Sequence, residues 1–178
     1  MGVSRLRALW DRDRVLFRFL LTGVGGYAGW HILYTAVIQV YTQFDAWVIA
    51  RLAYGTQTWG RLVGMEFWVK EGRWPSVVGV VGHAGVTIGE PCDGVVLFAL
   101  FAVFVAAFPG RWRHKLWFIP LGIGVVHGCN LARVFGLTCI QAAAPELLQF
   151  NHDYTFTVAV YAVVLALWYL YVRLPLFR

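Results

Sequence analysis

The sequence predicts an all-α membrane protein of about four transmembrane helices, with an amphipathic interfacial segment and a short β-hairpin-like loop on the outer side. Three observations predict it. Of the 178 residues, 60% are apolar and 13% are charged, whereas soluble domains carry about a quarter charged residues. Val95–Phe108 and Phe156–Val172 contain no Asp, Glu, Lys or Arg, as a hydrocarbon core demands. The basic residues behind the net charge of +6 sit in short clusters flanking apolar spans. That arrangement reads as membrane topology and argues against nucleic acid as a partner.

The whole chain, 1–178, is expected to form one integral membrane domain. Its N-terminal flank is basic and leads into a long apolar stretch without a cleavage site, so an uncleaved first helix is expected. That first span covers about 15–41, with small residues at Gly23, Gly25, Gly26 and Gly29 that let a neighbouring helix approach closely. The outer segment, 43–90, begins with aromatics and aliphatics mixed with Asp45, Arg51, Arg61, Glu66 and Lys70, an interfacial amphipathic pattern. It continues into valines alternating with glycines around His83, the pattern of a β-hairpin. Span two, 92–108, opens after Pro91 and stops at Pro109-Gly110. At 1.5 Å per residue it covers only about 25 Å, so its first residue lies near the surface. Span three covers about 116–137 and span four about 154–172.

Lys and Arg counts set the orientation. Ten of the fifteen basic residues lie in the N-terminal flank, the 111–115 turn and the C-terminal tail, while seven of the nine acidic residues lie on the opposite side. Both termini are therefore expected in the cytoplasm, with Cys92, Arg133 and His152 at the outer face of the cytoplasmic (inner) membrane.

These three are the candidate catalytic residues. Cys92 is expected at a helix amino end, where the dipole and free N–H groups favour a thiolate, with Glu90 two residues before it. Cys129 and Cys139 lack that setting and read as packing residues, although a Cys92–Cys139 bridge in an oxidising compartment would silence the nucleophile. Arg133 is a charge inside an apolar helix, a functional candidate by default. Asn130 and His127 are expected to continue its polar stripe as supporting or substrate-binding residues. His152 can exchange protons near neutral pH, with His83 and His127 as rival bases. Asp153 is not assigned as its orienting carboxylate, because neighbours on an α-helix project differently. A thiolate, an imidazole and a fixed cation are sufficient parts for acyl transfer. The ligand spacing suggests no metal, and no cofactor is called for.

The residues Glu90-Pro91-Cys92-Asp93-Gly94, the Asn130–Arg133 run and His152 in Asn151-His152-Asp153 resemble the exosortase and archaeosortase family of multipass membrane proteins. The resemblance covers about 76–172 and implies a cysteine protease or transpeptidase with Cys92 as nucleophile, Arg133 as central arginine and His152 in the third position, where a histidine points to bacterial members. It implies a membrane-anchored protein partner carrying a C-terminal sorting signal: a short motif, a transmembrane helix and a basic tail. The chain is shorter than the best-known bacterial members, with about four spans where they have about eight. The alternative is a non-catalytic assembly factor or small transporter, in which Asn130, Arg133 and His127 line a polar path and Cys92 is incidental. The lack of acidic residues deep in any span lowers the transport reading.

Overall fold

A computed structural model describes residues 2–70, 76–89 and 92–173. The chain is mostly helical, with a three-stranded antiparallel sheet at one end. Helix α1, Gly2–Leu33, continues through a π-helical turn, Tyr34–Ile38, into the short α2, Gln39–Tyr41. Helix α3, Phe44–Leu62, buries Asp45, Val48, Ile49, Leu52, Ala53, Thr56 and Gly60. Their spacing of three and four residues is one face of an α-helix, so the expected amphipathic segment is present. It ends earlier than the sequence suggested, at a turn through Gly64, which has φ +76°.

Three strands follow: β1, Phe67–Lys70; β2, Ser76–Val80; and β3, Gly85–Ile88. The expected hairpin is β2–β3, and β1 adds a third strand where the amphipathic segment was expected to continue. The register puts Phe67, Val69, Val78, Val80, Val86 and Ile88 on one face, and Phe67, Val78 and Ile88 are buried in a core shared with α3 and Val134. The opposite face carries Trp68, whose ring covers Gly79 and Gly85 so closely that a Cβ at either would lie 2.6–2.7 Å from the indole. The glycines that alternate with the valines thus make room for one tryptophan.

Helix α4, Val95–Ala107, is wholly apolar, and α5, Trp112–Ala143, returns beside it. A 3-10 turn, Pro145–Leu147, the short α6, Leu148–Phe150, and a π-helical turn, Asn151–Thr155, lead into α7, Phe156–Arg173. Helix α5 is the hub. It packs against α3, β2 and β3 along part of its length and against α4 and α7 elsewhere. Phe101, Val105, Phe118 and Tyr171 fill the space between α4, α5 and α7 near the 111–115 turn, and Val126, Val160 and Val164 fill it farther along. Lys115 ties the ends of α4 and α5 together by donating to the Ala106 carbonyl at 2.7 Å.

Among the described residues, two helical stretches are long and apolar enough to cross a membrane: Trp112–Ala143 and Pro145–Arg173, whose apolar part is α7. Helix α4 is apolar but has 13 residues, about 20 Å of helix. Helix α1 is long, but glycines, Arg18 and His31 dilute its apolar stretch. Three expected boundaries shift. Span two is helical from Val95 instead of 92, α5 continues to Ala143 instead of stopping near 137, and the last helical stretch begins well before 154.

Candidate active site

The residues between β3 and α4 position Cys92. Its N–H donates to the Gly89 carbonyl at 2.8 Å, and its own carbonyl accepts from Asn130 Nδ2 at 2.7 Å. Asn130 is 1% exposed. A buried amide donor aimed at that carbonyl fixes the cysteine backbone to α5. Gly94, at φ +83°, turns the chain into α4, and a Cβ there would meet Asn130 Nδ2 at 3.2 Å.

Cys92 is not the first residue of the helix. Asp93 intervenes, 2% exposed, and its Oδ1 accepts the Val95 N–H at 2.8 Å. The side chain at this helix start is therefore that of Asp93. The expected dipole activation of Cys92 is displaced by Asp93, because Gly94 breaks the helix before it can reach the cysteine.

The π-helical turn, Asn151–Thr155, brings His152 to the cysteine. His152 Nε2 lies 3.4 Å from Cys92 Sγ, across 60 residues of sequence. Its Nδ1 lies 2.8 Å from Asp153 Oδ1, while Asp153 Oδ2 accepts from Gln149 Nε2 at 2.7 Å. The His152 carbonyl accepts from Thr157 Oγ1 at 2.8 Å, and Asn151 Nδ2 donates to the Leu147 carbonyl. The carboxylate that meets the His152 ring is thus Asp153, contrary to the expectation from α-helical geometry. The local backbone is a wider π turn, a feature frequent at functional sites. The hydrogen bonds from His152 and Gln149 hold the Asp153 carboxyl below the ordinary carboxylate range, with a further contribution from the Arg133 charge. A carboxylate can only accept, so Nδ1 carries the hydrogen and Nε2 presents its lone pair to the thiol.

Arg133 lies on α5 within electrostatic reach of Asp153. Its Nε is buried and has no hydrogen-bond partner among the described residues. With Asp93, Asn130, Thr157 and Tyr161 it lines a cavity of about 270 Å³ between the start of α4, α5 and α7. His127 is not part of that stripe. Its ring packs against Phe98, with centroids 6.1 Å apart, because six residues on an α-helix leave it about 120° away from Arg133. His83 sits at the exposed hairpin tip, its Nδ1 3.3 Å from the Val81 carbonyl. Cys129 packs against the Val126 cluster and Cys139 against the core beneath the sheet. All three cysteines are free. Glu90, the remaining expected supporting residue, lies outside the described residues, and no His, Cys, Asp or Glu group among those described could hold a metal.

Sequence reasoning missed Asp93, Gly94, Asp153 and Thr157. Asp153 was legible as the neighbour of His152, and Asp93 and Gly94 as the helix-start pair. The chain matches no family model, no curated protein and no solved structure. The site therefore stands on its own geometry.

Proposed function

We propose that the chain is a multi-pass protein of the cytoplasmic membrane, a compact bacterial member of the exosortase and archaeosortase family, that cuts the C-terminal sorting signal of exported, membrane-anchored proteins through a Cys92 thioester. Four spans, carried by α1, α4, α5 and α7, account for apolar side chains left facing outward: Phe17, Leu20, Leu21 and Val24 on α1, Val96 on α4, Leu121 on α5, and Val158 and Leu165 on α7, each more than half exposed. Such a surface is stable in lipid and prone to aggregation in water. The excess of Lys and Arg at the 111–115 turn and both termini supports cytoplasmic ends and an outward-facing site.

One observation carries the chemistry: a thiol, an imidazole and a carboxylate in a row, with Sγ 3.4 Å from Nε2 and Nδ1 2.8 Å from Oδ1. His152 Nε2 takes the Cys92 proton, and the thiolate attacks the scissile carbonyl carbon. A C–S bond forms while the carbonyl electron pair moves onto oxygen, where the Arg133 guanidinium stabilises it. The oxyanion collapses, the C–N bond breaks, and His152 returns the proton to the leaving amine. An acceptor amine or water then attacks the thioester, giving its proton to His152, and the Cys92 thiol is regenerated.

Processing of a precursor with a C-terminal apolar span and basic tail, co-expressed with this chain, tests the reading. Cys92→Ala should abolish cleavage and leave membrane insertion intact. Continued cleavage in that variant would remove Cys92 from the chemistry.

A further inference from the structure

The sheet order β1-β2-β3 leaves β3 at an edge. Residues of a strand alternate in the direction of their backbone groups, so half of those in Gly85–Ile88 point away from β2. Among the described residues these outward groups find no hydrogen-bond partner. Beyond β2, β3 packs on α5, and Ile88 on its inner face is buried at 1% exposure.

Open edges are commonly blunted by charge, proline or a bulge, because they pair with any extended chain that reaches them. The opposite edge, β1, ends on Lys70. Strand β3 reads Gly85-Val86-Thr87-Ile88, with no charge and no proline, and Thr87 is exposed. This unguarded edge also runs toward the nucleophile. Cys92 follows Ile88 by four residues, and its N–H is bonded to the Gly89 carbonyl at 2.8 Å. The cysteine backbone is thus tied to the residue that follows the free edge.

We propose that β3 is the substrate-binding strand, on which an extended segment of the protein substrate adds as a fourth strand and is led to Cys92. The proposal rests on the reading of Cys92 as the nucleophile. Strand addition supplies main-chain hydrogen bonds whatever the side chains, and pockets beside alternate residues then select the sequence. It also requires the cleaved segment to be unwound, since a peptide bond inside a helix keeps its carbonyl bonded within the turn. The occupant is therefore a non-helical stretch lying outside the substrate's membrane span.

The test uses the whole protein in detergent and acetyl-alanyl chloromethyl ketones of one to four residues, which alkylate a thiolate with loss of chloride. Cys92 alkylation, followed by mass spectrometry, should accelerate about fivefold for each added residue that gains an edge hydrogen bond, and N-methylation of that residue should reverse the gain. One of Val86→Pro and Thr87→Pro removes an outward donor and should slow the longest probe to the rate of the shortest. Iodoacetamide, which has no strand to add, separates the two readings. If it labels Cys92 while the ketone rates ignore length and N-methylation, the strand proposal is overturned and the nucleophile stands. If it fails to label Cys92, both fall. Ketone rates that decline as protein concentration rises would mean that a second copy covers β3, which also overturns the proposal.

Discussion

Asn130 is the joint between α5 and the cysteine. Replacing it by Leu keeps the number and branching of its heavy atoms, so no cavity opens, and removes the 2.7 Å hydrogen bond from Nδ2 to the Cys92 carbonyl. That part-buried carbonyl is left unsatisfied, which costs about 1–3 kcal/mol. Taking about 2 kcal/mol, the population in which Cys92 is docked against α5 falls about thirtyfold. Two measurements follow. The detergent-solubilised variant should melt about 4–8 °C lower, since each kcal/mol shifts Tm by about 2–4 °C for a chain of this size. The dependence of Cys92 on His152 should also disappear. His152→Ala should slow Cys92 alkylation strongly in the wild type and hardly at all in the Asn130→Leu background, a positive coupling in a double-mutant cycle. If Asn130→Leu melts like the wild type and keeps the full His152 effect, Asn130 does not hold the nucleophile and the geometric account of the loop is wrong.

Other expectations follow from the same contacts. Asp153→Asn replaces an acceptor-only carboxylate by an amide that can present either its NH2 or its oxygen to Nδ1, so the tautomer is no longer selected and substrate cleavage should fall about a hundredfold in turnover, with little change in KM, in a kinetic assay. Because the Asp153 carboxyl is held below its ordinary value of 3.8, the stabilisation from its bond to His152 is fully present above that value. It is lost only as pH falls through the lower folded value. Stability measured from about pH 5 to 8 should therefore carry no Asp153 transition, and Gln149→Ala should move the acid transition upward. Gly94→Ala places a side chain at φ +83° and 3.2 Å from Asn130 Nδ2. It should cost about 1–2 kcal/mol in unfolding experiments and slow Cys92 alkylation. Gly122→Ala drives a Cβ to 2.1 Å from the buried Phe101 ring, which should cost about 1–3 kcal/mol without changing which cysteine reacts fastest.

The sequence made the helical framework legible where composition alone decides it. The charge-free runs of α4 and α7 are helices, and the Gly-rich valine pattern is a hairpin. What it hid depended on backbone geometry that no apolar period records. Strand β1, Phe67–Lys70, carries the same aromatic and charged mixture as the helix before it, so only pairing with β2 reveals it. The π turn at Asn151–Thr155 has no signature in residue type, yet it lets adjacent His152 and Asp153 meet. Gly94 was visible, but its left-handed φ is what moves the helix start past Cys92 and hands that position to Asp93. His127 was misjudged for a simpler reason: the helical angle accumulated over two successive steps of three residues carries it off the Arg133 face. Of the three residues expected to converge, Cys92 and His152 lie 3.4 Å apart, while Arg133 lies within electrostatic reach of Asp153.

The central claim is that His152 activates Cys92, and the alkylation rates of the three cysteines test it most directly. At neutral pH iodoacetamide should modify Cys92 at least about tenfold faster than Cys129 or Cys139, and His152→Ala should remove that advantage without unfolding the protein. Equal labelling of the three cysteines, or a Cys92 rate indifferent to His152→Ala, would contradict it.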